Sequence, residues 1–239
     1  MHLEIRELVK RFERHRALDG VSVQIEAGQI VAVLGLNGAG KSSLLRCCAG
    51  LLSPDSGSVY YDGVELTRDD LPMRRRFLFF GDQPALFRDQ SILRNIAIVL
   101  RLYDRDGVEA EDRVIALLEE FDLLPLARCP LSVLSRGQAY KAALVALLAA
   151  DPEIWLLDEP FASGMDSLGL AAFRRHAREA VGRGRTILYS TQLLDLAERL
   201  SDRVLILHDG RLRAFDTVER LTQNGDLTDL FRAMRDGND

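Results

Sequence analysis

A glycine-rich stretch that ends in lysine and serine constrains this chain more than any other feature. Residues 35–42 match the pattern Gly-x-x-x-x-Gly-Lys-Ser/Thr at every fixed position, and they lie between the apolar run Ile30–Leu34 and the helix-like residues 43–46. In such a unit the glycines let backbone N–H groups turn toward phosphate oxygens, and the following helix adds its positive end. The sequence therefore predicts a binding site for a nucleoside di- or triphosphate.

The positions of this phosphate loop have separate predicted roles. Lys41 reaches the β- and γ-phosphates, and the hydroxyl of Ser42 binds a magnesium ion that bridges them. The alternative, a glycine-rich turn that binds nothing, is disfavoured because the loop also has the correct neighbours on both sides. The other predicted nucleotide-binding positions of the loop are Gly35, Leu36, Asn37, Gly38, Ala39, Gly40 and Ser43.

Length and composition indicate one α/β protein of ordinary globular character. The chain has 239 residues, 47% of them hydrophobic and 28% charged, which is enough to bury an ample core. Its formal net charge of −5 argues against a broad basic face, so we expect no nucleic-acid partner. The first residues do not resemble a signal peptide, and no apolar run approaches the roughly 20 residues of a membrane-spanning helix. Any role at a membrane is therefore expected to come through a partner.

The cysteines lack the spacing of a metal site. Cys47 and Cys48 are adjacent, and Cys129 lies far from both in the sequence. We expect reduced thiols that pack in the protein interior. A redox-sensing role for Cys47 is the alternative.

Two strand patterns occur along the chain. Residues 3–9 and 21–25 alternate apolar with polar side chains, and Asp62 and Gly63 predict a tight hairpin turn between two further strands. These segments predict a small antiparallel layer. Other runs are apolar throughout, which is typical of parallel strands covered on both faces. They are Ile30–Leu34, Phe77–Phe80, Ile154–Leu157, 186–189 and 204–207.

Helical spacing dominates the middle of the chain. Residues 92–102, 108–124 and 139–150 carry apolar residues three or four positions apart, and weaker spacing of this kind covers 221–234. We predict one domain in which residues 1–86 and 152–220 form the α/β core and its antiparallel layer. Residues 87–151 form an inserted helical lobe, and residues 221–239 form a C-terminal helix and tail.

An acidic pair follows one of the buried strands. Asp158 and Glu159 come directly after Ile154–Leu157. Open α/β sheets bind ligands at the carboxyl ends of their strands, so Asp158 is expected to hold magnesium. Glu159 is expected to act as the general base for the water that attacks the γ-phosphorus. Two acids after a strand are common by chance, but together with the phosphate loop they indicate nucleotide hydrolysis.

A further segment upstream of Asp158 resembles the LSGGQ signature of the ATP-binding cassette (ABC) proteins. Other positions match that family in the correct order, from about residue 3 to residue 215. Phe12 occupies the place of the aromatic side chain that stacks on adenine. Gln83 resembles the family's glutamine that contacts magnesium or the attacking water. The signature comprises Leu134, Ser135, Arg136, Gly137 and Gln138, and the family's D-loop corresponds to Ser163, Gly164, Met165 and Asp166.

This resemblance implies a P-loop NTPase core of the ABC type that uses ATP and Mg²⁺. Ser135, Gly137 and Gln138 lie where a helix is expected to begin, so they form a second phosphate clamp. In the family this clamp closes on ATP held by another cassette, which implies a homodimer or heterodimer. The resemblance further implies an exporter-like ATPase subunit, cytoplasmic and held at the inner face of the membrane by an integral membrane permease. Exposed apolar residues such as Leu86, Phe87 and Ile92 are expected to receive that permease.

Two positions depart from the family pattern. Arg136 replaces a small residue of the signature, and we interpret it as an exposed side chain at a tolerant position. Gln192 replaces the histidine that contacts the γ-phosphate and the attacking water in most members. Glutamine donates hydrogen bonds but does not titrate near neutral pH, so Gln192 predicts slower turnover than histidine would give.

Two alternatives stay open at this point. A soluble ABC protein of assembly, translation or DNA repair is one, although such chains usually carry two cassettes or long insertions. A weakly hydrolysing regulatory cassette that pairs with a competent one is the other, and Gln192 and Arg136 favour it. The intact Lys41, Asp158 and Glu159 argue against the second alternative.

Overall fold

Strands and helices alternate along most of the chain. The computed structural model describes residues 1–13, 15–81, 86–107, 109–161, 166–223, 225–229 and 231. Within them the strands are β1 (Leu3–Phe12), β2 (His15–Ile25), β3 (Ile30–Leu34), β4 (Ser56–Tyr61), β5 (Val64–Glu65), β6 (Phe77–Phe80), β7 (Ile154–Leu157), β8 (Thr186–Thr191), β9 (Arg203–His208) and β10 (Arg211–Thr217). The α-helices are α1 (Lys41–Cys48), α2 (Leu71–Arg74), α3 (Ile92–Leu102), α4 (Glu109–Glu120), α5 (Arg136–Ala150), α6 (Ser167–Gly182), α7 (Leu194–Leu200) and α8 (Val218–Leu221).

The larger sheet has six strands in the order β10-β9-β3-β8-β7-β6. Its neighbours are parallel except for β10, which is antiparallel to β9. Both faces are covered, because successive residues such as Ile30 and Val31 are each fully buried but belong to different hydrophobic clusters. The five apolar runs are thus confirmed as strands buried on both faces. Strand β10 was not predicted, because an irregularity between Leu212 and Ala214 interrupts its alternating pattern.

A four-stranded antiparallel sheet, ordered β2-β1-β4-β5, confirms the predicted second layer. Its β4–β5 connection is the predicted tight turn, in which Asp62 has φ 50° and Gly63 has φ 81°. Strands β1 and β2 are longer than the segments predicted for them. Register shifts around Leu8 and between Lys10 and Arg11 break the strict alternation that the prediction used.

Helices α3, α4 and α5 pack against one face of the larger sheet in a shared hydrophobic cluster. Helix α5 begins at Arg136, before the predicted start at 139, because Ser135 caps it. The Ser135 hydroxyl accepts from the backbone N–H of Gln138, and the Gln138 side chain accepts from the backbone N–H of Ser135. The expectation that Ile92 is exposed is wrong: its side chain is fully buried in this cluster, whereas Phe87 is 59% exposed and Leu86 is partly buried.

The C-terminal region differs from the single helix predicted over residues 221–234. Helix α8 ends at Leu221, and helical residues resume at Leu227. Gly225 has φ 148° in the intervening segment, and the Asp226 side chain accepts from the backbone N–H of Asp229 at the new start. The remainder of the prediction, from residue 232 onward, falls outside the described residues. Among those described, no helix is both long enough and apolar enough to cross a bilayer.

Candidate nucleotide-binding site

Three neighbouring parallel strands bring the predicted site residues to one edge of the sheet. Strand β8 lies between β3 and β7, with Leu34 opposite Thr191 and Leu157 opposite Tyr189. The phosphate loop follows β3, the acidic pair follows β7, and Gln192 follows β8. Because parallel strands end on the same side, residues far apart in the sequence become neighbours at this edge.

The phosphate loop needs glycine at positions where the backbone is left-handed or crowded. Gly40 has φ 104°, and a Cβ there would lie 2.2 Å from the carbonyl oxygen of Ala17 on β2. Gly38 has φ 85° but open space around it. Helix α1 begins at Lys41, directly after Gly40, so its free N–H groups and positive end face the loop.

Lys41 is held inside the loop that precedes it. Its ammonium group donates to the carbonyl oxygen of Gly35 at 2.9 Å and to that of Leu36 at 3.3 Å. The same Nζ lies 3.5 Å from Oε1 of Glu159, and the Lys41 residue is only 6% exposed. A predicted phosphate-binding cation and a predicted general base are therefore in direct electrostatic contact.

Asp158 is buried and accepts two hydroxyl hydrogen bonds on one oxygen. Ser42 Oγ donates to its Oδ1 at 2.9 Å, and Ser190 Oγ donates to the same atom at 2.7 Å. No described residue donates to the second oxygen, Oδ2. The contact joins two of the three residues that the sequence analysis assigned to magnesium, and the third, Gln83, lies outside the described residues. A hydroxyl and a carboxylate are hard oxygen donors, which suit Mg²⁺ when phosphate oxygens and water supply its other ligands.

Glu159 has a left-handed backbone conformation and forms hydrogen bonds with Ser190 and Gln192. Its φ of 49° lies in the left-handed region, and its backbone N–H donates to Ser190 Oγ at 2.8 Å. Its side chain accepts from Nε2 of Gln192 at 3.4 Å, and that amide also donates to Oδ1 of Asn37 at 3.0 Å. Gln192 therefore links the phosphate loop to the predicted base.

These residues border an open cleft of about 290 Å³. Phe12 lines the cleft with 46% of its surface exposed, and it pairs across the β1–β2 hairpin with His15. His15 and Ala17 were not among the predicted site residues; the hairpin that places them beside Phe12 is the signal that could have found them. The lining residues are Phe12, His15, Ala17, Asn37, Gly38, Ala39, Gly40, Lys41, Ser42, Ser43, Glu159 and Gln192.

Other predicted site residues do not line this cleft. Gly35 and Leu36 contribute carbonyl oxygens that hold Lys41. The signature residues Ser135, Gly137 and Gln138 lie at the first turn of α5, where Ser135 is exposed and the other two are partly buried. The predicted Gln83, Ser163, Gly164 and Met165 lie outside the described residues.

Comparison with known proteins decides the family. A family model described as ABC transporter matches residues 18–162, more than half of the chain. The chain belongs to the ABC transporter family. It is 31% identical over 227 residues to the ABC-type transporter ATP-binding protein EcsA of Bacillus subtilis (strain 168), covering 95% of this chain and 92% of that protein. The chain is accordingly an ATP-binding, ATP-hydrolysing cassette that serves an ABC transporter.

Solved structures agree with this assignment. The structure of an ATP-binding subunit of an ABC transporter superposes with a TM-score of 0.91 at 29% identity, over 98% of this chain and 100% of that one. A dimeric post-hydrolysis state of an ATP-binding cassette bound to ADP and phosphate gives 0.80 at 26% identity, over 90% and 98% of the two chains. The resemblance inferred from the motifs is confirmed, as is the predicted ABC ATPase fold.

Proposed function

We propose that this cassette binds Mg²⁺ and ATP in the cleft at the sheet edge, hydrolyses ATP with Glu159 as general base, and thereby drives a separate membrane permease. The observation that carries the proposal is the contact between Lys41 Nζ and Glu159 Oε1, 3.5 Å apart beside the phosphate loop. It puts a phosphate-binding cation and a base within reach of one reacting phosphoryl group.

In this proposal the substrate is held at both ends. The N–H groups of the phosphate loop and α1 surround the β- and γ-phosphates, and Lys41 adds a positive charge. Phe12 stacks on the adenine at the other end of the cleft, where its ring is exposed. The division of the chain into a core, a helical lobe at 87–151 and a C-terminal segment is part of the same proposal.

Ser42 and Asp158 are the described residues proposed to hold Mg²⁺, together with Gln83 from outside the described part. The 2.9 Å contact between the Ser42 and Asp158 oxygens supports a shared role at one cation. Bound Mg²⁺ supplies positive charge that neutralises the phosphate oxygens.

Glu159 is proposed to accept a proton from the water that attacks the γ-phosphorus. As the water oxygen bonds to phosphorus, the bond to the β–γ bridging oxygen breaks and ADP leaves with that electron pair. The proton then passes to the phosphate product. Gln192, whose amide contacts Glu159, orients the base without changing its own charge.

A second cassette is part of the proposed mechanism. Ser135, Gly137 and Gln138 begin α5 but do not border this chain's own cleft. The N–H groups of Ser135 and Gln138 are used in the capping box, so the N–H of Gly137 and the positive end of α5 are the groups proposed to bind a neighbour's nucleotide. The dimeric cassette structure that this chain resembles supports such an arrangement. ATP then bridges two cassettes, and hydrolysis releases them.

The permease contact is proposed for the surface at the start of the helical lobe. Phe87 is 59% exposed there, in the segment that leads to the buried Ile92 at the start of α3. The Asn95 side chain on α3 accepts from the backbone N–H of Phe87 and donates to its carbonyl oxygen, so the exposed ring is held in a fixed place beside the helix. We propose a cytoplasmic cassette that reaches the inner face of the membrane through this partner.

The deciding experiment compares the wild-type chain with Glu159→Gln and Lys41→Ala. Steady-state ATPase rates and equilibrium ATP binding are measured, and association is followed by light scattering. We expect the wild type to hydrolyse ATP. Glu159→Gln should hydrolyse it 10²- to 10⁴-fold more slowly, while it still binds ATP and stays dimeric. Lys41→Ala should lose ATP binding. Normal turnover in Glu159→Gln contradicts the assignment of the base.

One alternative has a specific observation in its favour. The uncharged Gln192 beside Glu159 fits a regulatory cassette that binds ATP but hydrolyses it slowly. A wild-type chain that binds ATP but neither turns over nor dimerises alone would favour this alternative. Co-purification with a multi-span membrane protein separates both transporter roles from an ABC protein of assembly, translation or repair.

A further inference from the structure

One buried hydroxyl, that of Ser190 on β8, contacts both acidic residues of the site. Its Oγ donates to Oδ1 of Asp158 at 2.7 Å and accepts from the backbone N–H of Glu159 at 2.8 Å. Ser190 has no exposed surface. Sequence reasoning did not identify this residue, because it lies inside the strand and matches none of the motifs.

The sheet topology explains why Ser190 reaches both residues. Strands β7 and β8 are parallel neighbours with Leu157 opposite Tyr189, so the next residue of β8 lies beside the end of β7. A hydroxyl carries one hydrogen and two lone pairs, and Ser190 uses the hydrogen for the carboxylate and a lone pair for the N–H group. Alanine or valine at this position could make neither contact.

The two contacts act on two different properties of the site. The hydrogen bond to Asp158, together with that from Ser42, fixes one carboxylate oxygen and therefore the direction of the other. The contact to Glu159 holds a backbone at φ 49°, a conformation that a residue with a side chain keeps only when its surroundings require it. The backbone orientation in turn decides where the Glu159 carboxylate points.

We propose that Ser190 is a positioning residue for ATP hydrolysis, which aligns the magnesium-holding Asp158 and the base Glu159 through a single hydroxyl. This role rests on the proposed functions of those two residues. Groups that orient metal ligands typically change metal affinity or activity by 10- to 100-fold when they are removed. Among the described residues Ser190 makes no hydrogen bond to the phosphate loop, so removal of its hydroxyl should leave metal-free nucleotide binding intact.

The test uses the full chain and two matched comparisons. Ser190→Ala removes the hydroxyl with a small loss of volume. Ser190→Thr and Ser190→Val have the same shape and differ only in the hydroxyl, so their comparison separates the hydrogen bonds from packing in this buried position. For each protein we would measure kcat, the KM for ATP, equilibrium ATP binding in EDTA and in Mg²⁺, and the Mg²⁺ concentration that gives half-maximal binding enhancement.

We expect Ser190→Ala to lower kcat 10- to 100-fold and to raise the required Mg²⁺ concentration about tenfold, with ATP binding in EDTA within twofold of the wild type. Ser190→Thr should exceed Ser190→Val in kcat by at least about tenfold. Wild-type turnover and Mg²⁺ dependence in Ser190→Ala overturn the proposal, as does equal activity of the Thr and Val variants. Parallel loss of metal-free binding and turnover also overturns it, because that pattern indicates general disruption.

A failure of the proposed function looks different. In that case the wild-type chain itself binds no ATP, or Glu159→Gln hydrolyses it normally. The role of Ser190 then loses its basis, whatever the Ser190 variants do.

Discussion

Lys141 on α5 and Asp166 at the start of α6 form an ion pair, with Nζ of Lys141 2.5 Å from Oδ2 of Asp166. The other oxygen of the same carboxylate accepts the backbone N–H of Gly169 at 2.7 Å and so caps α6. Lys141 is 8% exposed, whereas Asp166 lies at the surface. The Asp166 side chain therefore fixes the first turn of α6 and ties it to α5, the helix whose first turn contains the signature residues.

This ion pair predicts a pH-dependent contribution to stability. The Lys141 side chain, followed by the N–H of Gly169, lowers the pKa of Asp166 below its ordinary value. A lowered folded-state pKa contributes stability above the unfolded-state pKa of about 3.9, and that contribution is lost as pH falls through the folded value. Lys141→Met keeps the apolar part of the side chain but removes the ammonium group, which is the main cause of the lowered pKa of Asp166. We expect it to destabilise the protein at pH 7, and we expect the difference from the wild type to shrink as pH falls below the unfolded-state pKa, measured by urea unfolding.

Asp166 itself allows the helix cap to be separated from the ion pair. Asparagine at an N-cap accepts the same backbone hydrogen bond but carries no charge, whereas alanine provides neither contact. We expect Asp166→Ala to be less stable than Asp166→Asn by about 1 kcal/mol in urea unfolding. Equal stabilities of the two variants would show that the contact with Gly169 contributes nothing.

The residue at position 192 is predicted to affect the rate of ATP hydrolysis. Its amide contacts Glu159 and Asn37, and it does not titrate near neutral pH. Gln192→His introduces a group that can carry charge near the γ-phosphate, and we expect it to raise kcat for ATP hydrolysis several-fold with KM nearly unchanged. Gln192→Ala, which removes the contacts without replacing them, should lower kcat. An unchanged rate of ATP hydrolysis in Gln192→His would contradict this prediction.

Two glycines of the phosphate loop form a matched pair. Both have positive φ, but a Cβ on Gly40 meets the Ala17 carbonyl oxygen at 2.2 Å, whereas a Cβ on Gly38 meets nothing within 4 Å. We expect Gly38→Ala to cost about 1 kcal/mol of folding stability, because a residue with a Cβ is strained at positive φ even where there is space for it. Gly40→Ala should cost about 3 kcal/mol, because the clash adds to the same backbone term. Thermal unfolding checks both values, and similar losses in the two variants would contradict the assigned clash.

The cysteines are predicted to differ in reactivity. Burial raises the pKa of Cys47 to about 11 and raises that of Cys48 well above its ordinary value. Both thiols are nearly inaccessible, whereas Cys129 is partly exposed. Since the thiolate is the nucleophile, iodoacetamide at pH 8 should label Cys129 in the native protein and all three cysteines only after denaturation. Mass spectrometry locates the label, and rapid native labelling of Cys47 would revive the redox-sensing hypothesis.

Much of the fold and site could be predicted because the informative residues are consecutive in the sequence. The phosphate loop is one segment, and Asp158 and Glu159 directly follow a strand whose apolar character is visible without a structure. Helix α3 was predicted with its observed bounds, because its apolar residues recur at helical spacing. These features depend on neighbours along the chain, which a sequence displays.

Features that depend on neighbours in space were harder to predict. Ser190 matters because β8 lies next to β7, and nothing in either strand specifies that order. His15 borders the cleft because the β1–β2 hairpin places it opposite Phe12. Ile92 was expected at the surface because the family resemblance implied a permease contact in this region. The sequence does not show what covers the apolar face of α3, and the lobe buries Ile92 completely.

Apart from Lys141, the residues of α5 from Tyr140 to Ala150 are apolar on every side of the helix, and they are buried in the cluster that also contains one face of the larger sheet. Such a helix cannot detach without exposing both itself and the sheet to water. The helical lobe and the sheet should therefore form a single cooperative unit, and backbone amides of α5 should exchange with solvent only when the whole cassette opens.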